Sequence, residues 1–318
     1  MNKLTVTSSP HFVSDRTTRS IMLDVIIAMV PAIAASIYFF GYKSAVLIAV
    51  CVISCVGFEA LYCVIAKKKI PVGDLSAVVT GVLLAFNLPS TLPVWMAVVG
   101  SLVAIVIVKQ LFGGLGCNFV NPALVGRVVL ALSFTAAMTS YGYPKSAVDV
   151  LASATPLRLV KFGGGEGLDA LTLFLGNHGG VLGETSCAAL LLGGIYLCLR
   201  KVIKPIIPLA YIGSTLLFSW LFGCSAPVLA ILSGGLFLGA IFMATDYVTS
   251  PYTNWGKLIF GVGCGLLSAV IRIFANSTEG VSYAILLMNL VVPYINDLCR
   301  KRPFGTERAK KEAIKNEK

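Results

Sequence analysis

Long apolar stretches alternate along this chain with short polar joints, and this alternation dominates the sequence. A helix needs about 20 predominantly apolar residues to cross a bilayer. The pattern predicts about ten membrane spans, some of them interrupted by Gly and Pro. We place them at 21–41, 45–66, 75–88, 93–109, 119–135, 183–199, 205–222, 226–244, 258–275 and 282–299.

The composition supports the same fold class. Of the 318 residues, 57% are hydrophobic and only 12% are charged, whereas a soluble domain carries about 25% charged residues. With so few charges, lipid must cover much of the outer surface. We therefore predict an all-α, polytopic integral membrane protein.

The net charge of +11 reports membrane topology rather than nucleic-acid binding, because the basic residues sit in short joints and not on one helical face. Cytoplasmic loops are enriched in Lys and Arg. With alternating spans, nearly all basic joints fall on one side, which predicts that both termini are cytoplasmic. The joints that set this orientation contain Arg16, Arg19, Lys67, Lys68, Lys69, Lys109, Arg200, Lys201, Lys204, Lys257 and Arg300.

This topology divides the chain into five parts. A cytoplasmic N-terminal segment (1–20) precedes a first membrane repeat (21–135). An extracytoplasmic loop (136–182) connects it to a second membrane repeat (183–299). The basic cytoplasmic tail (300–318) is expected to lie near anionic lipid.

Two interrupted apolar stretches suggest that the two repeats are inverted copies of one another. LSAVVTGVLLAFNLPSTLP (75–93) and LSGGLFLGAIFMATDYVTSP (232–251) each contain a glycine in mid-run and a polar residue, Asn87 or Asp246, shortly before a proline. By the predicted topology they run in opposite directions. Interrupted segments at corresponding places in two halves are typical of inverted-repeat transporters, whose site lies between the repeats; chance similarity of two apolar runs is the alternative.

Several ionisable residues fall within or at the ends of predicted spans, where charges usually face a cavity or a partner. Glu59 and Asp246, with Asn87, are our candidates for an ion pathway. Asp24 and Asp297 are expected at the cytoplasmic interface, solvated or paired with arginines near them in sequence. Arg127 and Arg272 are the other ionisable residues that fall within or at the ends of predicted spans.

The nine cysteines and two histidines do not form a metal-binding pattern. The sequence has no C-x-x-C, and most cysteines lie in apolar runs. Packed thiols explain them better than a closed metal site, which requires about four convergent ligands. We predict no metal site and no catalytic side chain in this chain.

The loop sequence VLASATPLRLVKFGGG (150–165) concentrates small, hydroxylated and basic residues: Ser153, Thr155, Arg158 and Lys161. Residue types alone allow two interpretations of this stretch. It is either a solvated loop between helices or an attachment site for a charged group.

Four stretches carry a resemblance to a known family: NPALVGRVVLALSF, SATPLRLV, FMATDYVTSPYTNWGKLIFG and GVSYAILLMNLVVPYIND. Together they resemble the D subunit of Rnf-type electron-transport complexes and are similar to the related B subunit of sodium-pumping NADH:quinone reductases. The resemblance extends from SPHFVSDRT near the start to PYIND near the end.

The resemblance implies a redox role for the loop. In that family a threonine is esterified through the phosphate of FMN by a flavin transferase that acts outside the cytoplasm, and the corresponding residue is Thr155. Ser153 leaves room for the cofactor, and Arg158 and Lys161 could neutralise the phosphate. The transferase pattern is kept at Asp149 and at the Ala-Thr pair but not at the two residues before that pair.

The resemblance also implies a place in a larger complex. We expect a bacterial or archaeal plasma-membrane subunit that relays electrons across the membrane. The whole complex, rather than the isolated chain, would couple ferredoxin:NAD⁺ oxidoreduction to Na⁺ or H⁺ transport. An extracytoplasmic FMN subunit, membrane iron–sulfur subunits and cytoplasmic ferredoxin and NADH subunits would be its partners. A second, non-covalent flavin, riboflavin, is also implied, with no residues assigned to it.

Two other functions fit the pattern of spans. A secondary transporter or channel could use the same duplicated scaffold without a flavin, but it would leave SATPL unexplained. A scaffold subunit without a cofactor would tolerate any change at Thr155.

Overall fold

The computed structural model describes residues 16–68, 71–142, 156–161, 169–184, 186–275 and 280–300, and within these ranges the protein is α-helical, with isolated bridges and no strand. The first half contains α1 (Thr18–Phe40), α2 (Tyr42–Ile65), α3 (Ser76–Phe86), α4 (Val94–Leu102), α5 (Pro122–Ser133) and α6 (Thr135–Met138). The loop region contributes α7 (Pro156–Lys161) and α8 (Ala170–Leu175). The second half contains α9 (Cys187–Leu199), α10 (Ile206–Leu221), α11 (Pro227–Leu232), α12 (Leu236–Leu238), α13 (Asn254–Phe274) and α14 (Gly280–Leu298).

Three shorter helical segments complete the described fold. A 3₁₀ turn, Val72–Asp74, precedes α3. Two π-helical segments, π1 (Val103–Gln110) and π2 (Gly239–Met243), continue α4 and α12 respectively. π-Helical turns are rare and frequently lie at functional sites, so both segments indicate where function should be sought.

Every predicted span coincides with helix, and the chain is a multi-pass membrane protein. Four helices, α1, α2, α13 and α14, are long and apolar enough to cross a bilayer, and five further apolar helices are shorter. Large apolar side chains on their outer faces are exposed, including Ile53 at 71% and Leu209 at 69%. Lipid is the environment that such surfaces require.

The predicted span 226–244 is broken. Helix α11 ends at Leu232, and α12 begins four residues later, after a turn that contains Gly234 at φ 78°. A Cβ atom at Gly234 would lie 3.1 Å from both Arg272 Nη2 and Leu157 Cδ2. The break therefore depends on glycine for its backbone conformation and for the close approach of those two side chains.

The two halves share one hydrophobic core, which includes Met29, Leu84 and Leu124 from the first half and Phe260 and Ile285 from the second. Glycines allow the closest helix contacts. Gly261 and Gly265 of α13 face α10, where an added Cβ would meet Ala210 or Ser214. Small residues at such positions let helix backbones approach within a membrane.

One ionic prediction was wrong. Asp24 does not lie solvated at the interface beside arginines near it in sequence, because it is only 4% exposed. It accepts hydrogen bonds from Tyr196 (3.0 Å) and from Arg200 (3.3 Å) on and after α9. A buried carboxylate needs such partners, and here they come from the other half of the chain. Asp297, by contrast, is exposed as expected.

Candidate functional site

Helix α5 begins where the two halves meet. Asn121 is its N-cap and accepts hydrogen bonds from the backbone N–H groups of Ala123 (3.1 Å) and Leu124 (3.4 Å), while Pro122 occupies the first helical position. Asn at the cap and Pro in the first turn are both favoured there. These residues fix the start of α5 inside the protein. The side chains of its following turns therefore lie at the interface between the halves.

A first cavity lies at the end of the molecule where α1 and α3 begin and α9 ends. Its volume is about 120 Å³, and we call it the Asn118 cavity. Asp246 lies in its wall and accepts a hydrogen bond from Thr249 at 3.1 Å. Apolar side chains from α1, α3 and α9 form much of the remaining wall. The polar members of its lining are Ser76, Thr80, Lys109, Asn118, Asn121, Thr245, Asp246 and Tyr247.

A second, smaller cavity of about 20 Å³ lies on the opposite side of the interface, and we call it the Arg127 cavity. Arg127 Nη2 lies 3.6 Å from Glu184 Oε1. A Cβ atom at Gly235 would lie 2.9 Å from that same oxygen, so glycine is needed there to admit the carboxylate. Ionisable or hydroxylated side chains in the lining are Arg127, Tyr141, His178, Glu184 and Arg272, and Pro156 also lines it.

A third cavity, the Lys161 cavity, has a volume of about 200 Å³ and lies between α7 and the ends of α10 and α13. Lys161 Nζ donates to the carbonyl of Ala275, and Arg272 Nη1 donates to the carbonyl of Ala230 at 2.7 Å. Partial burial lowers the pKa of Lys161 below its usual range. Leu157 and Arg272 line both this cavity and the Arg127 cavity, so α7 borders the two.

Helix α5 contributes to the walls of both the Asn118 cavity and the Arg127 cavity. Ala123 lines the first, and Arg127, four residues later, lines the second. Five buried residues from both halves meet at this part of the interface, and we call them the septum: Asn87, Asn121, Arg127, Met243 and Ser282.

Hydrogen bonds connect the septum from one side to the other. Arg127 Nη1 donates to Asn87 Oδ1 and to Ser282 Oγ, each at 2.8 Å. Asn87 Nδ2 donates to the carbonyl of Leu83 at 2.6 Å and lies 3.7 Å from the Met243 sulfur. Asn121 Nδ2 donates to the Met243 carbonyl at 3.3 Å. The guanidinium of Arg127 is therefore held by neutral groups from both halves as well as by its ion pair with Glu184.

Asn289 of α14 reinforces the same interface. With its amide oriented to suit its neighbours, its nitrogen donates to the Thr249 carbonyl at 3.1 Å and its oxygen accepts from the Asn121 backbone N–H at 3.2 Å. It joins α5, α14 and the segment after Asp246. The start of α5 is thus positioned by both halves.

A separate charged cluster lies within the first half. Glu59 of α2 is fully buried and its Oε1 lies 2.6 Å from Lys109 Nζ, with Gln110 Nε2 donating to the same oxygen at 2.8 Å. Lys109 also donates to Ser76 Oγ at 2.6 Å. The π1 segment brings both Lys109 and Gln110 onto Glu59, and Lys109 reaches the wall of the Asn118 cavity. The second oxygen of Glu59 has no hydrogen-bond partner among the described residues.

The predicted site residues do not form one cluster. Asp246 lines the Asn118 cavity and Asn87 lies in the septum, whereas Glu59 is buried behind Lys109. Arg158 is exposed on α7, and Lys161 points to the end of α13. Thr155, Ser153 and Asp149 lie outside the described residues.

Other site residues were not predicted as such. Lys109 looked like one of the solvated joint lysines, yet it is 3% exposed. His178 and Glu184 come from the predicted loop and from its junction with the second half, and both line the Arg127 cavity. That His178 is one of only two histidines is the one signal that could have drawn attention to it.

Comparison with known proteins places the chain among characterised families. A family model described as the NQR2, RnfD, RnfE family matches residues 5–305. The chain is 49% identical over 313 residues to the D subunit of the Na⁺-translocating ferredoxin:NAD⁺ oxidoreductase complex of Acetobacterium woodii, covering 98% of each protein. It is 39% identical to the D subunit of the proton-translocating ferredoxin:NAD⁺ oxidoreductase complex of Clostridium ljungdahlii, covering 96% of this chain and 98% of that protein. The D subunit of an ion-translocating oxidoreductase complex of Escherichia coli is 36% identical, with 94% and 98% covered.

Proposed function

The chain belongs to the NQR2, RnfD, RnfE family, and from this membership we propose that it is the D subunit of an ion-translocating ferredoxin:NAD⁺ oxidoreductase complex. In this role it relays electrons across the membrane through flavins. One observation carries the proposal: α5 lines the Asn118 and Arg127 cavities through Ala123 and Arg127, and Leu157 and Arg272 line both the Arg127 cavity and the Lys161 cavity. Redox groups in the Asn118 and Lys161 cavities would thus be linked by a continuous set of lining residues at the interface between the halves.

The first flavin in this proposal is FMN, attached through its phosphate to Thr155. Thr155 directly precedes Pro156, which lines the Arg127 cavity, and consecutive Cα atoms are about 3.8 Å apart. Arg127 and Arg272 line that cavity, and we propose that they attract the negative charge of the phosphate. Arg158, three residues after Thr155 and exposed on α7, is a further candidate to neutralise the phosphate.

The Lys161 cavity fits the ring system of that flavin better than the Arg127 cavity does. It is ten times larger by volume, about 200 Å³ against about 20 Å³. Leu157, Val160 and Ile273 supply apolar wall, and Lys161 and Arg272 supply cationic donors. Flavin supplies one- and two-electron chemistry when bound, and protein charges near its ring tune the potential. Ser153, two positions before Thr155 in the sequence, is a small residue of the kind that suits attachment of a bulky group.

The second flavin in this proposal is non-covalent riboflavin in the Asn118 cavity. An apolar wall with a few convergent polar groups is typical of cofactor sites, and Thr80, Asn118, Asn121 and Asp246 supply those groups. The volume of about 120 Å³ is below the roughly 150 Å³ of an engineered cavity that binds benzene. Binding of a three-ring flavin therefore requires the lining side chains to move apart.

We also propose that a monovalent cation moves through the same interface. Asp246 supplies a carboxylate in the Asn118 cavity and Asn87 supplies amide groups in the septum. Glu59 would contribute through Lys109, which joins Glu59 to the cavity wall. The relatives named above are subunits of complexes that translocate sodium or protons. A carboxylate can bind either ion, whereas amide oxygens can coordinate sodium but do not take up a proton.

The proposed orientation follows from the basic joints. Both termini are cytoplasmic, and the loop 136–182 faces outward, where a flavin transferase can reach Thr155 and an extracytoplasmic FMN subunit can donate or accept electrons. Lys109 no longer counts among the solvated basic residues, but the remaining joints keep the same bias. Membrane iron–sulfur subunits and cytoplasmic ferredoxin and NADH subunits are the other partners.

The test is covalent flavin on Thr155. The full chain is co-expressed with a flavin transferase, denatured, and examined by intact mass and by in-gel fluorescence, beside Thr155→Val and a matched control, Thr172→Val, from the same loop. The proposal predicts one FMN less one water on the wild type and on the control, and none on Thr155→Val. An unmodified wild-type chain beside an active transferase would remove the redox role.

In that event a transporter or channel function would take its place. The observation that favours it is the broken segment α11–α12, whose turn lines the Arg127 cavity through Gly234 and Gly235, since discontinuous helices commonly form transport sites. A colourless purified protein that carries cations without redox substrates would support this second function.

A further inference from the structure

We propose that Asp74, Ser76 and Lys109 form a proton relay that connects the buried carboxylate of Glu59 to the surface of the protein. The relay rests on the cation transport proposed above and deepens it, because it shows how the charge of an ion at Glu59 is compensated. It does not depend on flavin attachment at Thr155.

A continuous chain of short contacts joins the four side chains. Lys109 Nζ lies 2.6 Å from Glu59 Oε1 and donates to Ser76 Oγ at 2.6 Å. Ser76 Oγ in turn donates to Asp74 Oδ1 at 2.6 Å. A serine hydroxyl can donate one hydrogen bond while it accepts others. The chain therefore runs without a gap from Glu59, which is fully buried, to Asp74, which is partly exposed.

Two local features hold Ser76 between its partners. Asp74 ends the 3₁₀ turn before α3, and its Oδ1 also accepts from the Ser76 backbone N–H at 2.8 Å. The π1 segment brings Lys109 and Gln110 onto Glu59. The bond to the backbone N–H is enough to stabilise the start of α3. The bond from the Ser76 hydroxyl is additional, and it is the one that continues to Lys109.

The inner end of the chain has room for a ligand. Glu59 Oε1 is occupied by Lys109 and Gln110, whereas Oε2 is buried and has no hydrogen-bond partner among the described residues. Buried carboxylate oxygens are normally partnered, so Oε2 is a place for a monovalent cation, either sodium or a proton. Such a cation would repel the Lys109 ammonium strongly in a low-dielectric interior. Loss of one proton from Lys109 returns the cluster to its original charge.

The proposed step moves that proton outward over two hydrogen bonds. Lys109 Nζ gives a proton to Ser76 Oγ while the hydroxyl proton of Ser76 passes to Asp74 Oδ1. One N–H bond and one O–H bond break, and one O–H bond forms on each oxygen. The ammonium becomes an amine and the Asp74 carboxylate becomes a carboxylic acid. The reverse steps recharge Lys109 when sodium leaves Glu59, or supply Glu59 with a proton when the proton is the transported ion.

The surroundings of the relay connect it with the proposed cation route. Ser76 and Lys109 line the Asn118 cavity, as do Asp246 and Tyr247. Cys55 of α2 is a further titratable side chain that interacts with both Glu59 and Lys109. Carboxylate chains of this kind form proton relays in other membrane proteins. The relay thus borders the cavity to which the cation route is assigned.

The test uses the complete complex that contains the full chain, in inverted membrane vesicles driven by reduced ferredoxin and NAD⁺. The initial rates of radioactive sodium uptake and of acidification of the vesicle lumen are recorded, together with NADH formation and flavin content. Asp74→Asn keeps an oxygen that accepts from the Ser76 backbone but does not take up the proton. Ser76→Ala removes the hydroxyl, and Ser76→Thr keeps one. Ser101→Ala is the matched control, because this buried hydroxyl donates to the Ala97 carbonyl and not to the relay.

We expect Asp74→Asn and Ser76→Ala each to lower ion uptake by about tenfold or more, with flavin content unchanged. Ser76→Thr and Ser101→Ala should stay close to the wild type. The assay in which the wild type responds, sodium or acidification, identifies the ion. Asp74→Asn decides alone if Ser76→Ala does not assemble.

Three outcomes would overturn the relay. Wild-type ion uptake with Asp74→Asn would exclude it and leave the proposed cation transport intact. An equal loss with Ser101→Ala, or no recovery with Ser76→Thr, would show that altered packing is the cause. NADH formation without any ion uptake by the wild type would overturn the proposed cation transport and the relay with it.

Discussion

The septum and the Glu59 cluster are both buried and charged, yet they are built in different ways. In the Glu59 cluster, Lys109 lies 2.6 Å from the carboxylate, and both belong to the first half. In the septum, Arg127 donates to two neutral groups at 2.8 Å and lies 3.6 Å from the buried carboxylate of Glu184, and these partners come from both halves. Removing one partner of a single close ion pair leaves a buried charge, whereas a charge with several partners keeps the others after one substitution. The first arrangement concentrates its coupling in one contact within a half, and the second distributes it over contacts between the halves.

The largest stability effect is expected from breaking the Glu59 pair. Lys109→Met leaves a buried carboxylate without its cation, which should cost about 3–5 kcal/mol. The double variant Lys109→Met with Glu59→Gln should recover most of that loss, because no buried charge remains. Thermal unfolding of the detergent-purified chain, analysed as a double-mutant cycle, measures both.

If Lys109→Met and the double variant unfold at the same temperature, Glu59 and Lys109 are not energetically coupled. The Glu59 cluster would then not be the tightly paired site that the comparison with the septum assumes. A matched control is Lys68→Met. Lys68 is exposed and follows α2, so its loss should change stability by less than about 0.5 kcal/mol.

A smaller effect is expected in the septum. Asn87→Leu removes the amide that accepts from Arg127 and leaves the guanidinium with fewer partners, at a cost of about 1–3 kcal/mol. The loss should be below that of Lys109→Met, because Arg127 keeps Ser282 and its approach to Glu184. Thermal unfolding of Asn87→Leu and Lys109→Met ranks the two losses of stability. A larger loss from Asn87→Leu would show that the septum is the more tightly coupled cluster.

The smallest effect is expected from Ser282→Ala. It deletes one neutral partner of Arg127, for which about 1 kcal/mol is the usual scale. The thermal unfolding midpoint should shift only slightly. A loss as large as that from Asn87→Leu would mean that α14, rather than α3, holds the guanidinium.

The sequence predicts the elements of this fold well and their long-range pairings poorly. Apolar runs are a strong local signal, so every predicted span coincides with helix. Glu59 was recognised as a candidate because a carboxylate in an apolar run is conspicuous. Its partner was not, because Lys109 follows 50 positions later and ends an apolar run, where a solvated lysine is the usual occupant.

The same limit applies to Asp24 and to the septum. The pairing of Asp24 with Arg200 spans the two halves, and no local pattern specifies how the halves pack. Asn87 and Asp246 were selected together because each precedes a proline in an interrupted run. The structure places Asp246 in the Asn118 cavity and Asn87 in the septum, in contact with Arg127 rather than with Asp246. The attachment residue Thr155 remains a prediction from family resemblance.

The central claim is that electrons cross the membrane through this chain by way of the Thr155 flavin. The most direct measurement uses liposomes that contain the flavinylated, riboflavin-supplemented chain, ferricyanide trapped inside, dithionite added outside, and valinomycin with potassium to prevent charging. The account predicts bleaching of the trapped ferricyanide with the wild type and with Thr172→Val, but not with Thr155→Val. Equal bleaching with Thr155→Val, or none with a flavinylated wild type, would contradict it.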